Sequence, residues 1–325
     1  MQYQEEITPA KDGHEIPVYI WKASSQVNFR GVLQIVHGLA EHAARYSALA
    51  ATMTAQGYTV IAHDHRGHGR CAQKALLGHY DDHRGWNKVV ADLDVIYQQA
   101  TSLSKGMPHF LLAHSMGSFI TMQFLMDYPA SLTGVILSGS NYSPPLKYRV
   151  ASKIASLEKA VFGGRHRSKL LDHLSFGSFN GHFKPARTSH DWLSRDIAQV
   201  DLYLQDPACG FIATTQLWCD FLDGLANISR PTQLKKINGA LPFFLLAGER
   251  DPVGHMGDGV MALSQQLKAA GIKDITCTLY PEGRHEMLNE TNAEQVQKDI
   301  WHWIQSHVPA TESDTNKSLQ SVASN

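Results

Sequence analysis

The chain has 325 residues, of which 43% are hydrophobic, and its formal net charge is −1. This length suits one large α/β domain or a core domain with an insertion, and the hydrophobic content is enough for a substantial core. The balanced charge favours neither nucleic acid as a partner nor an acidic solvating tail. No apolar run reaches the roughly 18 residues that a membrane-spanning helix needs.

The N-terminal stretch MQYQEEITPAKDG is polar and acidic, unlike a secretory signal, and the four cysteines form no C-x-x-C pair. Free thiols suit a reducing compartment, so we expect a cytoplasmic protein, with peripheral contact at the inner membrane left open. The densest histidine cluster, AHDHRGHG at 62–69, matches neither H-E-x-x-H nor H-x-H-x-D-H. We therefore expect no metal site and no organic cofactor.

Strand and helix patterns alternate along residues 1–140. Two stretches that flank AKDG predict a hairpin, after which short apolar runs predict buried strands and runs with helical period predict helices. In chain order these are a strand at 31–37, a helix at 45–56, a strand at 59–64, a helix at 86–103, a strand at 109–114, a helix at 118–126 and a strand at 134–140. The alternation implies right-handed crossovers and a mostly parallel sheet with helices on both faces.

The alternation is interrupted between residues 141 and 230. That stretch contains proline pairs, aromatic residues and amphipathic runs, but no comparable apolar strand. The pattern resumes with a strand at 242–248, a helix near 259–270, a strand at 274–280 and a helix at about 293–307. We predict that 1–140 and 231–308 form one α/β core, that 141–230 is a mostly helical cap or lid, and that the polar stretch 309–325 is a disordered tail.

The stretch FLLAHSMGSFI, residues 110–120, places Ser115 directly after a predicted strand and before a predicted helix. A serine at such a turn is typical of a nucleophile elbow, where the residues two before and two after must be small because the strand and helix crowd together. Ala113 and Gly117 meet this demand, although Ala113 stands where the G-x-S-x-G motif has glycine. We predict that Ser115 is a catalytic nucleophile; a plain helix N-cap serine is the alternative.

Serine catalysis also needs a base and a carboxylate that orients it, and in a parallel sheet both should follow the carboxyl ends of strands. Asp251 follows the predicted strand PFFLLAG, with Glu249 and Asp258 as nearby competitors and a turn-capping role as the alternative. His285 follows the last predicted strand, in a loop before the final helix. The order Ser115, Asp251, His285 is that of α/β-hydrolases, so we predict that these residues form a catalytic triad.

The tetrahedral intermediate of ester hydrolysis carries a negatively charged oxygen, which two N–H donors must stabilise. One donor is expected from the residue after the nucleophile, Met116, and the other from the loop after the first long strand. That loop is HGLAEH, residues 37–42, and we predict the backbone N–H of Leu39 as the second donor.

Five motifs in the chain can be taken together: HGLAEHAARY (37–46), DHRGHGR (64–70), AHSMGS (113–118), GERDPVG (248–254) and YPEGRHEMLNE (280–290). With these motifs the chain resembles the monoacylglycerol lipase and lysophospholipase branch of the α/β-hydrolase superfamily. The resemblance extends from about residue 10 to 307. It implies the α/β-hydrolase fold, with a helical cap inserted over the pocket of Ser115.

The resemblance implies a serine hydrolase that cleaves carboxylic esters through an acyl-enzyme, with a monoacylglycerol or lysolipid as substrate. Transient membrane-surface contact through the cap is left open. A general carboxylesterase, a thioesterase or acyltransferase, and an aminopeptidase would use the same triad. An aminopeptidase would want an acidic clamp for the substrate amine, for which Asp196, Asp201 and Asp206 are the only hint. A non-catalytic binding protein is the alternative of another class, which the triad residues at three strand ends argue against.

Overall fold

The computed structural model describes residues 2–23, 26–73 and 76–308. The strands are β1 (Gln2–Pro9), β2 (Glu15–Lys22), β3 (Gly31–Val36), β4 (Tyr58–His63), β5 (His109–His114), β6 (Gly134–Ser138), β7 (Phe243–Gly248) and β8 (Ile275–Tyr280). The helices are α1 (Ser47–Ala55), α2 (Gly85–Ser104), α3 (Met116–Asp127), α4 (Pro145–Phe162), α5 (Lys169–Asp172), α6 (Ile197–Gln205), α7 (Thr215–Ile228), α8 (Pro231–Leu234), α9 (Asp258–Ala270) and α10 (Ala293–Ser306).

The strands of the described residues form one sheet in the order β1-β2-β4-β3-β5-β6-β7-β8. β2 is antiparallel to both of its neighbours, and every later pair in this order is parallel. The predicted mostly parallel sheet is therefore confirmed. Because β3, β5, β7 and β8 run in the same direction, the loops that follow them meet at one edge of the sheet.

Helices cover both faces of the sheet, and alternate residues of each strand point to opposite faces. In β5, Phe110 and Leu112 pack in a cluster with α1 and α10, whereas Leu111 and Ala113 pack in a cluster with α2, α3 and α9. The central strands are consequently buried along their whole length. Burial on both faces explains why their sequences are continuous apolar runs and not alternating patterns.

Three predicted elements have a boundary that differs from the structure by more than one residue. The helix predicted at 118–126 begins two residues earlier, at Met116, because Ser115 alone makes the turn after β5. The helix predicted at 45–56 is divided into a 3₁₀ turn, Ala43–Tyr46, followed by α1. The strand predicted at 134–140 ends at Ser138, since Gly139 turns the chain with a φ of 59°.

Helices α4 to α8 occupy the chain between β6 and β7, and α4 packs along α7. In the described residues, no helix has both the length and the apolar character needed to cross a bilayer. The tail predicted at 309–325 lies outside the described residues.

Candidate active site

Ser115 occupies a sharp turn between β5 and α3. Its backbone has φ 49° and ψ −121°, a left-handed conformation that is strained for a residue with a side chain. A Cβ on Gly117 would lie 2.3 Å from the carbonyl oxygen of Val36, so no larger residue fits two positions after the serine. Ala113 is fully buried in β5. This is the geometry that the nucleophile-elbow prediction requires.

Asp251 and His285 come together from the loops after β7 and β8. His285 Nδ1 lies 3.0 Å from both carboxylate oxygens of Asp251. Asp251 is completely buried and His285 is 3% exposed, so water hardly competes for this contact. The carboxylate therefore orients the imidazole and leaves its Nε2 atom available for another partner.

The surroundings of His285 adjust both its orientation and its proton affinity. Burial by itself would lower the pKa of His285, but the charge and hydrogen bond of Asp251 raise it above its ordinary value. The imidazole lies between two rings, with centroid distances of 4.7 Å to His114 and 5.2 Å to Trp192. The backbone N–H of His285 also donates to the carbonyl of Trp192, at 3.4 Å.

The loop after β3 approaches the nucleophile closely. A Cβ on Gly38 would lie 3.2 Å from the Cβ of Ser115, which places the next residue, Leu39, beside the elbow. Met116 is the first residue of α3, so its N–H has no acceptor within the helix. Among the hydrogen bonds of the described residues, none uses the Leu39 N–H. Both predicted oxyanion donors thus lie near Ser115, and no hydrogen bond among the described residues occupies either N–H.

A buried ion network, which the sequence did not predict, links the loop after β3 to the loop of His285. Arg45 donates two hydrogen bonds to Glu286, each 2.7 Å long, and one to Glu41 at 2.9 Å. Glu41 in turn accepts the N–H of Gly38, at 2.6 Å. Burial opposes ionisation of Glu286, but the guanidinium of Arg45 lowers the pKa of Glu286 to about 2. The spacing of Glu41 and Arg45 in HGLAEHAARY suits an i,i+4 pair, and this was the signal available.

A cavity of about 890 Å³ lies at the same edge of the sheet. Ser115, His285, Leu39 and Met116 all line it, whereas Asp251 lies behind His285. The chain between β6 and β7 supplies much of its apolar lining, including Tyr148, Ile154, Leu171, Phe176, Trp192 and Trp218. Polar side chains also line the cavity, including Glu41, His190, Tyr203 and Glu286.

The acidic residues considered as an amine clamp have other partners. Asp196 caps the N-terminus of α6, Asp201 pairs with Arg187, and Asp206 pairs with His42. Asp196, Asp201 and Asp206, all within the described part of the chain, lie outside the lining of the cavity. The structure does not bring them together as a clamp.

A mostly parallel eight-stranded sheet, with the loops after β3, β5, β7 and β8 gathered at one edge, defines the α/β-hydrolase fold. The family model described as serine aminopeptidase, S33, matches residues 28–292, and the chain belongs to this family.

Comparisons with individual proteins agree with this assignment. The chain is 26% identical over 279 residues to a monoacylglycerol lipase of Mycolicibacterium smegmatis, which covers 86% of this chain and 89% of that one. It is 25% identical over 291 residues to a probable lysophospholipase L2 of Haemophilus influenzae, covering 85% and 84%. A carboxyl esterase from Bacillus coagulans, solved in complex with glycerol, superposes with a TM-score of 0.86 at 26% identity, covering 94% and 99%. The predicted superfamily and branch are confirmed.

Proposed function

We propose that the protein is a serine hydrolase that cleaves the carboxylic ester of a monoacylglycerol or a lysophospholipid. One observation carries the proposal: a strained serine and a histidine held by a buried aspartate line the same cavity. The named activities of the relatives support the ester substrate, and the apolar lining of the cavity suits an acyl chain.

The proposed reaction proceeds through an acyl-enzyme. Ser115 Oγ attacks the ester carbonyl while His285 takes its proton and then passes it to the leaving alcohol. Asp251 orients the imidazole and stabilises its charged form. The N–H groups of Leu39 and Met116 bind the oxyanion, and one such donor typically contributes about 3 kcal/mol. Water activated by His285 then releases the fatty acid and restores Ser115.

The proposed substrate places its two ends in different parts of the cavity. The aromatic and aliphatic part, which includes Phe176 and Trp218, takes the acyl chain. The polar part, which includes Glu41, His190 and Tyr203, takes the alcohol or headgroup. A medium-length chain with a small polar head suits a cavity of about 890 Å³ better than a triacylglycerol does.

We propose that residues 141–230 act as a cap over the site, inserted between two parts of one core, 1–140 and 231–308. All eight strands of the described residues fall within the proposed core. The insertion supplies α4 to α7 and many of the residues that line the cavity. A cap of this kind excludes water from the acyl-enzyme until the acid leaves.

We also propose that the cap contacts an anionic membrane surface through α4. Five apolar residues recur every three or four positions along one side of α4 and are 41–70% exposed: Leu146, Val150, Ile154, Leu157 and Val161. Basic side chains are interspersed with them, namely Lys147, Arg149, Lys153 and Lys159. An apolar stripe with basic flanks suits the surface of an anionic bilayer. On this proposal the protein is cytoplasmic, with peripheral contact at the inner membrane.

A fluorophosphonate probe and a substrate panel test the function. We expect the probe to label the native protein and Ser102→Ala, an exposed-serine control, but not Ser115→Ala. We expect kcat for monoacylglycerols or lysophospholipids to fall roughly 10⁶-fold in Ser115→Ala. Equal labelling of Ser115→Ala would contradict the assigned nucleophile.

The panel also separates the alternative activities on this fold. It contains monoacylglycerols, lysophospholipids, short p-nitrophenyl esters and aminoacyl amides. Turnover of the amides alone would establish an aminopeptidase and refute the proposed lipid substrate. Turnover of the short esters alone would establish a general carboxylesterase.

A further inference from the structure

Three different metal-binding side chains meet where the loop after β3 contacts the proposed cap. His42 lies in that loop, and Asp206 and Cys209 lie between α6 and α7. His42 Nε2 is 2.9 Å from Asp206 Oδ2, and these atoms and Cys209 Sγ all lie within 4.8 Å of one another. We propose that His42, Asp206 and Cys209 bind one divalent transition-metal ion, with Zn²⁺ as the ion that fits best.

The donor set is that of a zinc site with an open position. Zn²⁺ binds imidazole nitrogen, carboxylate oxygen and thiolate sulfur at about 2.0–2.3 Å, so these ligand atoms in a tetrahedral site stand roughly 3.3–3.6 Å apart. To reach this geometry, the widest separation closes by about 1 Å and the 2.9 Å contact of His42 with Asp206 opens by a few tenths of an ångström, and water completes the fourth position. A thiolate and an imidazole together favour Zn²⁺ over Mg²⁺ and Ca²⁺, which prefer oxygen ligands.

The surroundings admit a cation despite a nearby guanidinium. The side chains of His42 and Asp206 are 14% and 34% exposed, so an ion can reach them from solvent. Arg45 acts electrostatically on Cys209, but its charge is matched by two buried carboxylates. Asp206 adds a third carboxylate, so the local charge is negative and attracts a divalent cation.

Metal binding has to displace the proton of the Cys209 thiol. The ion replaces it: the S–H bond breaks, a sulfur–metal bond forms, and the proton passes to solvent.

The bound ion joins two segments that already touch. The N–H of Gly210 and the hydroxyl of Tyr203 both donate to the carbonyl of Ala40, each at 3.0 Å. Bonds from one ion to His42 and Cys209 cross the same junction. An ion that binds only the folded state raises Tm as its concentration exceeds Kd.

Cobalt titration of the metal-free full-length chain tests the site without using its activity. We expect one equivalent of Co²⁺ to produce a thiolate-to-cobalt charge-transfer band in the near ultraviolet and visible bands of a tetrahedral ion. Added Zn²⁺ should abolish these bands and raise Tm. A protein that takes up no Co²⁺ at millimolar concentration would overturn the proposal.

Variants identify the ligands. Cys209→Ser should lose the charge-transfer band, whereas His42→Gln and Asp206→Asn should each weaken binding at least about tenfold. Cys277→Ser and Asp201→Asn, which change the same residue types outside the cluster, should bind as the native protein does. A band that persists in Cys209→Ser, or disappears in Cys277→Ser, would refute the assignment. Circular dichroism without metal verifies that each variant is folded, and the three ligand variants provide independent tests.

Discussion

Asp251 determines how strongly His285 holds a proton. Burial of His285 opposes its charged form, yet the adjacent carboxylate raises its pKa above 6.5. Only the neutral imidazole can take the proton of Ser115, so we predict that kcat/KM falls as the pH decreases through this raised pKa. The measurement is kcat/KM for a soluble ester between pH 5 and 9. A midpoint of the acid limb below 6.5 would contradict the raised pKa.

Asp251→Asn separates charge from shape at the same position. Because the neutral amide no longer stabilises the imidazolium, the acid limb should move to lower pH and kcat should fall roughly 10⁴-fold. Asp258→Asn, at the exposed start of α9, is the matched control and should retain the native profile. Equal losses in the two variants would indicate that the effect is not specific to the triad.

At the residue scale, the sequence predicts local features but not contacts between distant positions. Ser115 and His285 were predicted from the element that precedes each of them, which is local information. The ion pair of Arg45 and Glu286 joins positions 241 residues apart, and no local pattern relates them. Only the packing of the two loops at one sheet edge brings the charges together.

At the scale of elements, α4 carries the proposed membrane contact. We predict that the double variant Leu157→Ser, Val161→Ser binds anionic vesicles at least about tenfold more weakly, because two exposed apolar side chains no longer enter the bilayer. Neither residue lines the cavity, so hydrolysis of a short soluble ester should be unchanged. Co-sedimentation with phosphatidylglycerol vesicles measures the binding.

The matched control for α4 is Met261→Ser on α9, an exposed apolar residue of the proposed core. It should bind vesicles as the native protein does. Binding should also weaken with added salt, because the basic side chains of α4 are screened. Equal vesicle binding by the double variant and the native protein would eliminate α4 as the contact.

At the scale of the whole molecule, a group of buried histidines makes stability sensitive to acid. Burial lowers the pKa of His63, His68 and His114 to about 4 each. The unfolded chain therefore takes up protons first as the pH falls. Stability should decrease between about pH 6.5 and 4, by about 1.4 kcal/mol per pH unit for each histidine. Urea unfolding at several pH values measures this slope.

His63→Leu tests the contribution of one member of this group. Both ring nitrogens of His63 lack a hydrogen-bond partner in the described structure, so an apolar residue can replace the imidazole without leaving a donor unpaired. The slope of the free energy of unfolding against pH should decrease by the contribution of one histidine. His302→Leu, at an exposed position of α10, is the matched control for replacing a histidine by leucine. An unchanged slope in His63→Leu would show that this histidine does not titrate as proposed.

The sequence predicted more of the core than of the site. The core strands were predictable because burial on both faces requires continuous apolar runs that glycine and proline interrupt. The predicted end of the strand at residue 140 was wrong. The strand ends at Ser138 because Gly139 adopts a left-handed conformation, which an apolar run does not reveal. The contact of Trp192 with His285 could not be predicted, since an aromatic residue in the insertion is equally suited to lining the pocket and to a local core.

By itself, the sequence determined the alternation of strands and helices, the elbow at Ser115 and the chain order of the three predicted triad residues. These features depend on short-range chemistry, namely apolar period, turn residues and small side chains beside a sharp bend. Only the tertiary structure decided the strand order, which places the loops after β3, β5, β7 and β8 around one cavity. It also decided the ion network of Arg45 and the meeting of His42 with Asp206 and Cys209. Such contacts join distant parts of the chain, and their free energy depends on how the elements pack together and not on the residues beside them.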